Sequence, residues 1–476
     1  MSIMPMAAGG SPWVDRFTGL VVREVIVERA SIRAVTLQDL NSRHVLAASS
    51  EIDRAMKGFY MPSDQEIDYL LEIVGTASQY SSATYGSEAQ FLRGLHARTL
   101  PQCPILPQCL SALAGVGKSA LFLAVERVMP AEERIALPLA MAHELPMRSY
   151  QRIVVDAAST MRELLDPMLP SDLRIHQDEG HGSLQAARKR SRATTGDLHL
   201  VASRCCFSMG VASLMLDETQ FASHSAAAGA RAVSWVLTFG RLPPPFLFAV
   251  NYDLLKKLWD RPDYDKDRIL ADPRILMPEA PRSVGMSKYL RECQVVLAEV
   301  LGFKLEEEPD LIFSLTANVR RKVARLLVLA YEAMRAAKAK TMMPEHLRAA
   351  YGSLKYSGMR SDVVGILTQS LQGAPVAGKG GLWCPIATEY NILTPTANKI
   401  ASASSAGDFS NFFLTQGLPK SNRRTDKPPT NPTPAQDEQP GAPPKGRVIG
   451  FPGKKGIDKD TLLKNTMVSR GKEPEA

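Results

Sequence analysis

One stretch of this chain combines residue types that can grip phosphate: Ala112-Leu113-Ala114-Gly115-Val116-Gly117-Lys118-Ser119. It follows the pattern G-x-x-x-x-G-K-[ST] at every position but the first, where Ala112 replaces glycine. Glycines let backbone N–H groups curl round phosphate oxygens, and a following helix N-terminus adds a positive dipole. In that setting Lys118 reaches the β- and γ-phosphates of a nucleotide and Ser119 ligates Mg²⁺. The nucleotide would lie along Ala114, Gly115, Val116, Gly117, Lys118, Ser119 and Ala120. Ala112 is tolerable if its φ is negative, since only a positive φ penalises a Cβ.

Two further stretches could complete such a site. Leu214-Met215-Leu216-Asp217-Glu218 is an apolar run ending in two acids. It fits a buried strand whose C-terminal edge faces the phosphates. Asp217 would hold Mg²⁺ and Glu218 would orient the attacking water as general base. Phe246-Leu247-Phe248-Ala249-Val250-Asn251 ends another apolar run on an amide, 34 residues after Asp217. Asn251 could hydrogen-bond the γ-phosphate or the water; an Asn after a strand is also a common turn residue.

These groups need elements to hold them. An apolar run from Ile105 to Leu113 precedes the loop, and Leu121, Val125 and Val128 follow at helical spacing. Ile153 to Val155, Leu214 to Leu216 and Phe246 to Val250 read as short buried strands. Leu198 to Met209 and Ala230 to Phe239 read as helices between them. Short apolar strands alternating with helices predict a parallel sheet covered on both faces. Helices are expected at about 64–75, opened by the capping-box spacing Ser63 to Glu66, and after Ser87. Val21 to Val27 suggests a strand. Tyr289 to Leu301, Val323 to Met334 and Pro344 to Tyr351 predict a small all-α domain.

The order of loop, Asp-Glu strand, Asn-tipped strand and helical domain resembles an AAA+ ATPase. More narrowly, it is similar to the TnsC/TniB class of transposition ATPases. The residues that carry this are Leu216-Asp217-Glu218-Thr219-Gln220 and Pro243-Pro244-Pro245-Phe246-Leu247-Phe248-Ala249-Val250-Asn251-Tyr252-Asp253-Leu254. Leu258 and Arg261-Pro262-Asp263-Tyr264-Asp265-Lys266-Asp267-Arg268-Ile269-Leu270 follow. Asp253 stands where that class usually has Ser. The resemblance covers about residues 60 to 355. It implies an α/β P-loop AAA+ parallel sheet flanked by helices, with a C-terminal helical lid. It implies ATP and Mg²⁺ as cofactors and a homo-oligomeric ring or filament on duplex DNA. It also implies transposase and target-selector proteins as partners. Arg320 or Arg321, opening the lid helix, matches the sensor-2 arginine; Arg320 is taken as the catalytic one, beside Glu218 and Asn251. A solvated basic turn is the plainer reading of that pair. Arg261, Arg268 and Arg274 are candidates for the arginine supplied by a neighbouring subunit. Two other readings stay open: another AAA+ remodelling or helicase-loader ATPase, and a degenerate non-hydrolysing DNA-binding scaffold.

Composition bounds these readings. The chain has 476 residues, 45% hydrophobic and 22% charged, which excludes wholesale disorder and admits about three domains. Its formal charge is +8, but residues 420–476 hold twelve Lys/Arg against seven Asp/Glu, leaving about +3 for the rest. A duplex grip in the folded part therefore needs a few aimed groups. Arg188-Lys189-Arg190-Ser191-Arg192, in the insert between loop and Asp-Glu strand, is the candidate DNA contact; a solvated, flexible charge run is the commoner meaning of such a cluster. His176 and His181 lack a metal-ligand spacing and read as loop. Gly378-Lys379-Gly380-Gly381 lacks a following Ser or Thr and reads as no second nucleotide site. The six cysteines form no Cys-x-x-Cys pair, and Cys205-Cys206 reads as packing. No apolar stretch reaches 18 residues and the N-terminus lacks a signal-peptide pattern, so a cytoplasmic protein with no membrane partner is expected.

The expected organisation is an N-terminal extension (1–85), a P-loop α/β domain (86–282) and a helical lid (283–356). A weakly patterned extension (357–418) and a disordered basic Pro-rich tail (419–476) follow. Within the tail, Arg447-Val448-Ile449-Gly450-Phe451-Pro452 is either a partner anchor or part of a linker.

Overall fold

The computed structural model describes residues 10–101, 103–136, 144–156, 159–170, 193–219, 228–386 and 391. Four segments named above lie outside them: Arg188 to Arg192, His176 to His181, Gln220 and the tail from Pro419.

Seven strands are described: β1 (Gln108–Ala112), β2 (Glu132–Ala136), β3 (Glu144–Arg148), β4 (Tyr150–Val154), β5 (Ser213–Asp217), β6 (Phe246–Val250) and β7 (Asp272–Leu276). Five of them form one sheet in the order β4-β5-β6-β1-β7. Every pairing in it is parallel. The three central strands are buried at every residue, as a sheet covered by helices on both faces requires. β2 and β3 pair antiparallel as a separate ribbon. All strand C-termini in the parallel sheet point to one edge, where the loop after β1, Asp217-Glu218 and Asn251 gather.

β7 and the β2–β3 ribbon escape a reading by apolar runs. β7 is Asp-Pro-Arg-Ile-Leu with only Leu276 buried, because it is an edge strand. Pro273 is tolerated there because an edge N–H has no obligatory partner. Val21 to Val27 is a correction: Arg23–Ala30 is a helix, with Ile26 and Ala30 buried one turn apart. Val21 and Val22 lie before it on the surface. The β-branched run suggested a strand, but the polar residues at Arg23, Glu24 and Glu28 leave an i, i+4 stripe.

Two hydrophobic cores result. One surrounds the sheet, the other lies within the lid helices Val284–Val296, Pro309–Thr316, Arg320–Ala336 and Pro344–Gly352. Residues 10–85 divide between them. Trp13, Phe17, Leu20 and Ile26 enter the sheet core, whereas Leu40, Ala48, Ile52 and Met56 enter the lid core. Trp13 stacks on Phe91 at 4.4 Å, and Phe91 on Phe207 at 5.8 Å. Gly210, at φ +60°, gives room for this cluster, because a Cβ there would lie 2.4 Å from the Trp13 ring.

The helix Asp64–Tyr85 is longer than the expected 64–75, since Ala77, Tyr80 and Tyr85 continue its buried face. The Gly- and Ser-rich stretch after 356 holds a further helix, Ser357–Gln372, whose Val363, Ile366 and Leu367 return to the sheet core. Lys379, from the Gly-Lys-Gly-Gly run, pairs with Asp362 of that helix at 3.0 Å.

Lys322, buried in the lid helix, lies 3.5 Å from the same Asp362, too far for a good hydrogen bond. Burial is the main cause that lowers its pKa to about 8; Asp362 opposes the shift and Lys379 adds to it. The unfolded chain keeps this proton to higher pH than the folded one. The penalty is therefore full below pH 8, and this lysine's contribution to stability rises as pH climbs from 8 toward about 10. Lys322→Met should be more stable than the natural chain at pH 7, by about 1–3 kcal/mol. The advantage should shrink toward pH 10. Denaturant unfolding at both pH values checks this; a pH-independent difference would refute it.

Candidate nucleotide-binding site

β1 ends on Ala112, which pairs in register with Leu276 and has ordinary strand backbone. Its Cβ therefore costs nothing, as a negative φ requires. The turn needs glycine further on, where Gly115 has φ +91° and Gly117 φ +140°. A Cβ on Gly115 would also come within 2.8 Å of the Arg321 side chain. Gly117 is the N-cap of the helix Lys118–Val128, so free N–H groups and the helix dipole point into the loop.

Lys118 bends back so that Nζ donates to the Ala112 carbonyl at 3.1 Å. The ammonium is closely surrounded although part of the residue still meets solvent. Desolvation lowers its pKa to about 8; Glu218 and Asp217 oppose this and Arg321 adds to it. The lysine is thus held where an anionic ligand would restore what burial takes away.

Ser119 Oγ lies 3.1 Å from Asp217 Oδ1 and 3.0 Å from Glu218 Oε1. Asp217 is 2% exposed and Oδ1 also accepts the Glu218 N–H at 2.8 Å. Glu218 takes a left-handed backbone, φ +58°, which costs a residue with a Cβ about 1–2 kcal/mol. That turn swings its carboxylate from the strand edge toward the phosphate loop. A hydroxyl and a carboxylate side by side are hard oxygen donors, the set that suits Mg²⁺.

Asn251 caps the helix Tyr252–Trp259, its Oδ1 accepting the Leu254 N–H at 2.9 Å. The turn role and the site role coincide, because Asn251 also lines the same cleft as Lys118 and Glu218. Tyr252 and Leu254 are buried, while Asp253 faces outward, where a Cβ on Gly381 would meet it at 2.6 Å.

The lid closes the other side. The Arg321 N–H donates to the Gly115 carbonyl at 3.1 Å, docking the lid helix on the phosphate loop. Arg320 and Arg321 both line the cleft, which measures about 760 Å³, the size of a small-ligand site. Arg320 is gripped by Glu66 through two bonds of 3.1 and 2.7 Å and lies between the rings of Tyr60 and Tyr289. Burial acts to lower the Arg320 pKa, but Glu66 outweighs it and the net shift is upward. Arg321 is exposed and no side-chain hydrogen bond or ion pair holds it among the described residues. The resemblance admits either arginine and takes Arg320 as the catalytic one; the Glu66 contact distinguishes the two.

The three candidate trans-acting arginines also divide. Arg261 bonds Asp265 at 2.6 Å, and Arg274 pairs with Glu72 and Asp272 at 2.8 and 2.9 Å. Arg268 is exposed on the helix Asp263–Ile269. Thr194, beside the basic cluster, caps the helix Thr195–Ser208 and is occupied by Asp197.

Residues that the motifs did not point to also belong here. Glu66 comes from the N-terminal segment, and Arg152 of β4 reaches Asp217 at 3.3 Å. One signal was available: Glu126, which binds Arg152, stands seven residues after Ser119 and so shares its helix face.

A five-stranded parallel sheet, an Asn-tipped strand between the loop strand and the Asp-Glu strand, and a helical lid on the loop are now in place. These are the elements that the resemblance to an AAA+ ATPase predicts. No protein-family model matches the chain, and no curated protein does. Three solved structures illustrate the distant likenesses. The Aeropyrum pernix ORC1 protein in complex with DNA is 15% identical, over 70% of this chain and 81% of that one, with a TM-score of 0.34. Thermotoga maritima RuvB is 12% identical, over 72% and 95%, with a TM-score of 0.32. A Walker-type ATPase of Pyrococcus abyssi is 14% identical, over 63% and 84%, with a TM-score of 0.33. Among the described residues no helix is long and apolar enough to cross a membrane.

Proposed function

We propose that this chain is an ATP-dependent, DNA-binding regulator of transposition that assembles on duplex DNA and links target selection to a transposase. One observation carries the nucleotide part. Lys118, Ser119, Glu218, Asn251, Arg320 and Arg321, from four separate places in the fold, meet around the same cleft, with Asp217 bonded to Ser119. Lys118 clamps the phosphates, while Ser119 and Asp217 would hold Mg²⁺, which would supply charge neutralisation for phosphoryl transfer. Glu218 orients the attacking water and Asn251 senses the γ-phosphate. Arg321 is the better placed of the two lid arginines to touch nucleotide, with Arg320 as the pivot that Glu66 holds.

The transposition part rests on the resemblance through Asn251-Tyr252-Asp253-Leu254 and the Arg261-Pro262 segment. Arg268, exposed and without a carboxylate partner among the described residues, is then the arginine offered to a neighbour's nucleotide. The duplex contact is assigned to Arg188, Lys189, Arg190 and Arg192.

Electron microscopy of the protein with duplex DNA and a slowly hydrolysed ATP analogue tests the assembly. Rings or filaments should form on DNA with the analogue and not with ADP; separate particles under both conditions point instead to a remodelling or loader ATPase. Arg268→Ala should lower turnover by about 10³-fold while leaving nucleotide binding by the single subunit intact. Unchanged turnover removes Arg268 from that role.

A further inference from the structure

Asp217 makes a contact that the nucleotide reading does not use. Its two oxygens face different groups. Oδ1 accepts from Ser119 Oγ at 3.1 Å and from the Glu218 N–H at 2.8 Å. Oδ2 accepts from Arg152 Nη1 at 3.3 Å. Arg152 is itself held, its Nε donating to Glu126 Oε1 at 2.7 Å. β4 and β5 are adjacent parallel strands with Val154 opposite Asp217, so Arg152 crosses between neighbours to reach it. Glu126 lies on the helix that begins at Lys118, two turns beyond Ser119. Ser119, Asp217, Arg152 and Glu126 thus form a chain that starts and ends on the phosphate-loop helix.

We propose that Arg152 is a positioning residue: anchored by Glu126, it takes one oxygen of Asp217 and so aims the other at Ser119 and the divalent cation. This rests on the reading of Ser119 and Asp217 as the metal site. A carboxylate with 2% exposure is largely cut off from bulk solvent, so its orientation follows the donors that surround it. The guanidinium suits the task because its fork presents Nη1 and Nε to two different carboxylates at once. Lysine offers a single point charge and cannot hold both. Outer partners of metal ligands act in this way, and losing one weakens metal binding by about 10- to 100-fold.

The test is binding of a fluorescent ATP analogue to the full chain, titrated with Mg²⁺ and repeated in EDTA. Arg152→Gln should raise the half-saturating Mg²⁺ by about 10- to 100-fold while affinity in EDTA stays within about twofold. Arg152→Lys should recover only part of the loss. Glu126→Gln keeps the arginine charge and an oxygen that can accept from it but removes the anchor's charge, and should shift the Mg²⁺ requirement a few-fold in the same direction. Three outcomes overturn the proposal: an unaltered Mg²⁺ requirement in Arg152→Gln and Glu126→Gln, a matching loss of affinity in EDTA, or full rescue by lysine. If the natural chain itself binds nucleotide with no Mg²⁺ dependence, the proposed function fails first, and the two failures are told apart.

Discussion

Lys118→Ala should abolish ATP-dependent DNA binding. Its Nζ is the cation placed inside the phosphate loop, and it folds back on the Ala112 carbonyl at 3.1 Å. A charge-assisted hydrogen bond to phosphate contributes about 1.5–3 kcal/mol, so nucleotide affinity should fall by about 10- to 100-fold. DNA retention measured with ATP should drop to the level seen without it. The fold should not suffer. Burial already lowers the pKa of this lysine to about 8, so the free protein carries a cost there and not a stabilising contact. The thermal midpoint without nucleotide should hold or rise slightly. DNA retention that still responds to ATP in Lys118→Ala would refute the assignment of this loop as the controlling site.

Glu218→Gln should separate binding from turnover. The amide keeps the size of the side chain and an oxygen that can accept from Ser119, now 3.0 Å away. What it removes is the base that orients water. Phosphate release should fall by about 10²- to 10⁴-fold, with nucleotide binding little changed, so that DNA-bound assemblies persist. Release at the natural rate would show that Glu218 is not the base. If the natural chain releases no phosphate either, the loop with Ala112 belongs to a non-hydrolysing scaffold. The backbone of Glu218 sharpens the comparison. At φ +58° it is strained, so a glycine there would relieve strain yet lose the carboxylate. Glu218→Gly should therefore be inactive without being unstable.

Much of the sheet could be read from apolar runs. Phe246 to Val250 coincides with β6, and Leu214 to Leu216 falls inside β5, because central parallel strands bury both faces and leave no polar interruption. The edge strand β7 carries Asp272 and Arg274 and reads as loop for the opposite reason. Ser357–Gln372 was illegible because glycines and serines dilute its apolar stripe, although Val363 and Ile366 still reach the sheet core. The helix at Arg23–Ala30 shows the reverse error, in which β-branched residues outweighed the charged positions that break a strand pattern.

By itself the sequence determined the local chemistry: a lysine and serine after two glycines, two acids closing one apolar run, an amide closing the next. Each of these is fixed by residues adjacent in the chain, where backbone geometry and spacing leave few alternatives. Only the tertiary structure decided which arginine is held and which is free, because that choice is made by carboxylates far away in sequence. Glu66 lies 254 residues from Arg320 and engages it, while Arg321 next door is left facing the cleft. Arg152 likewise gains its meaning from Asp217 and Glu126, which only the pairing of β4 with β5 and the packing of the loop helix bring within reach. A charged side chain is interpreted by the partner that desolvates or neutralises it, and folding chooses that partner.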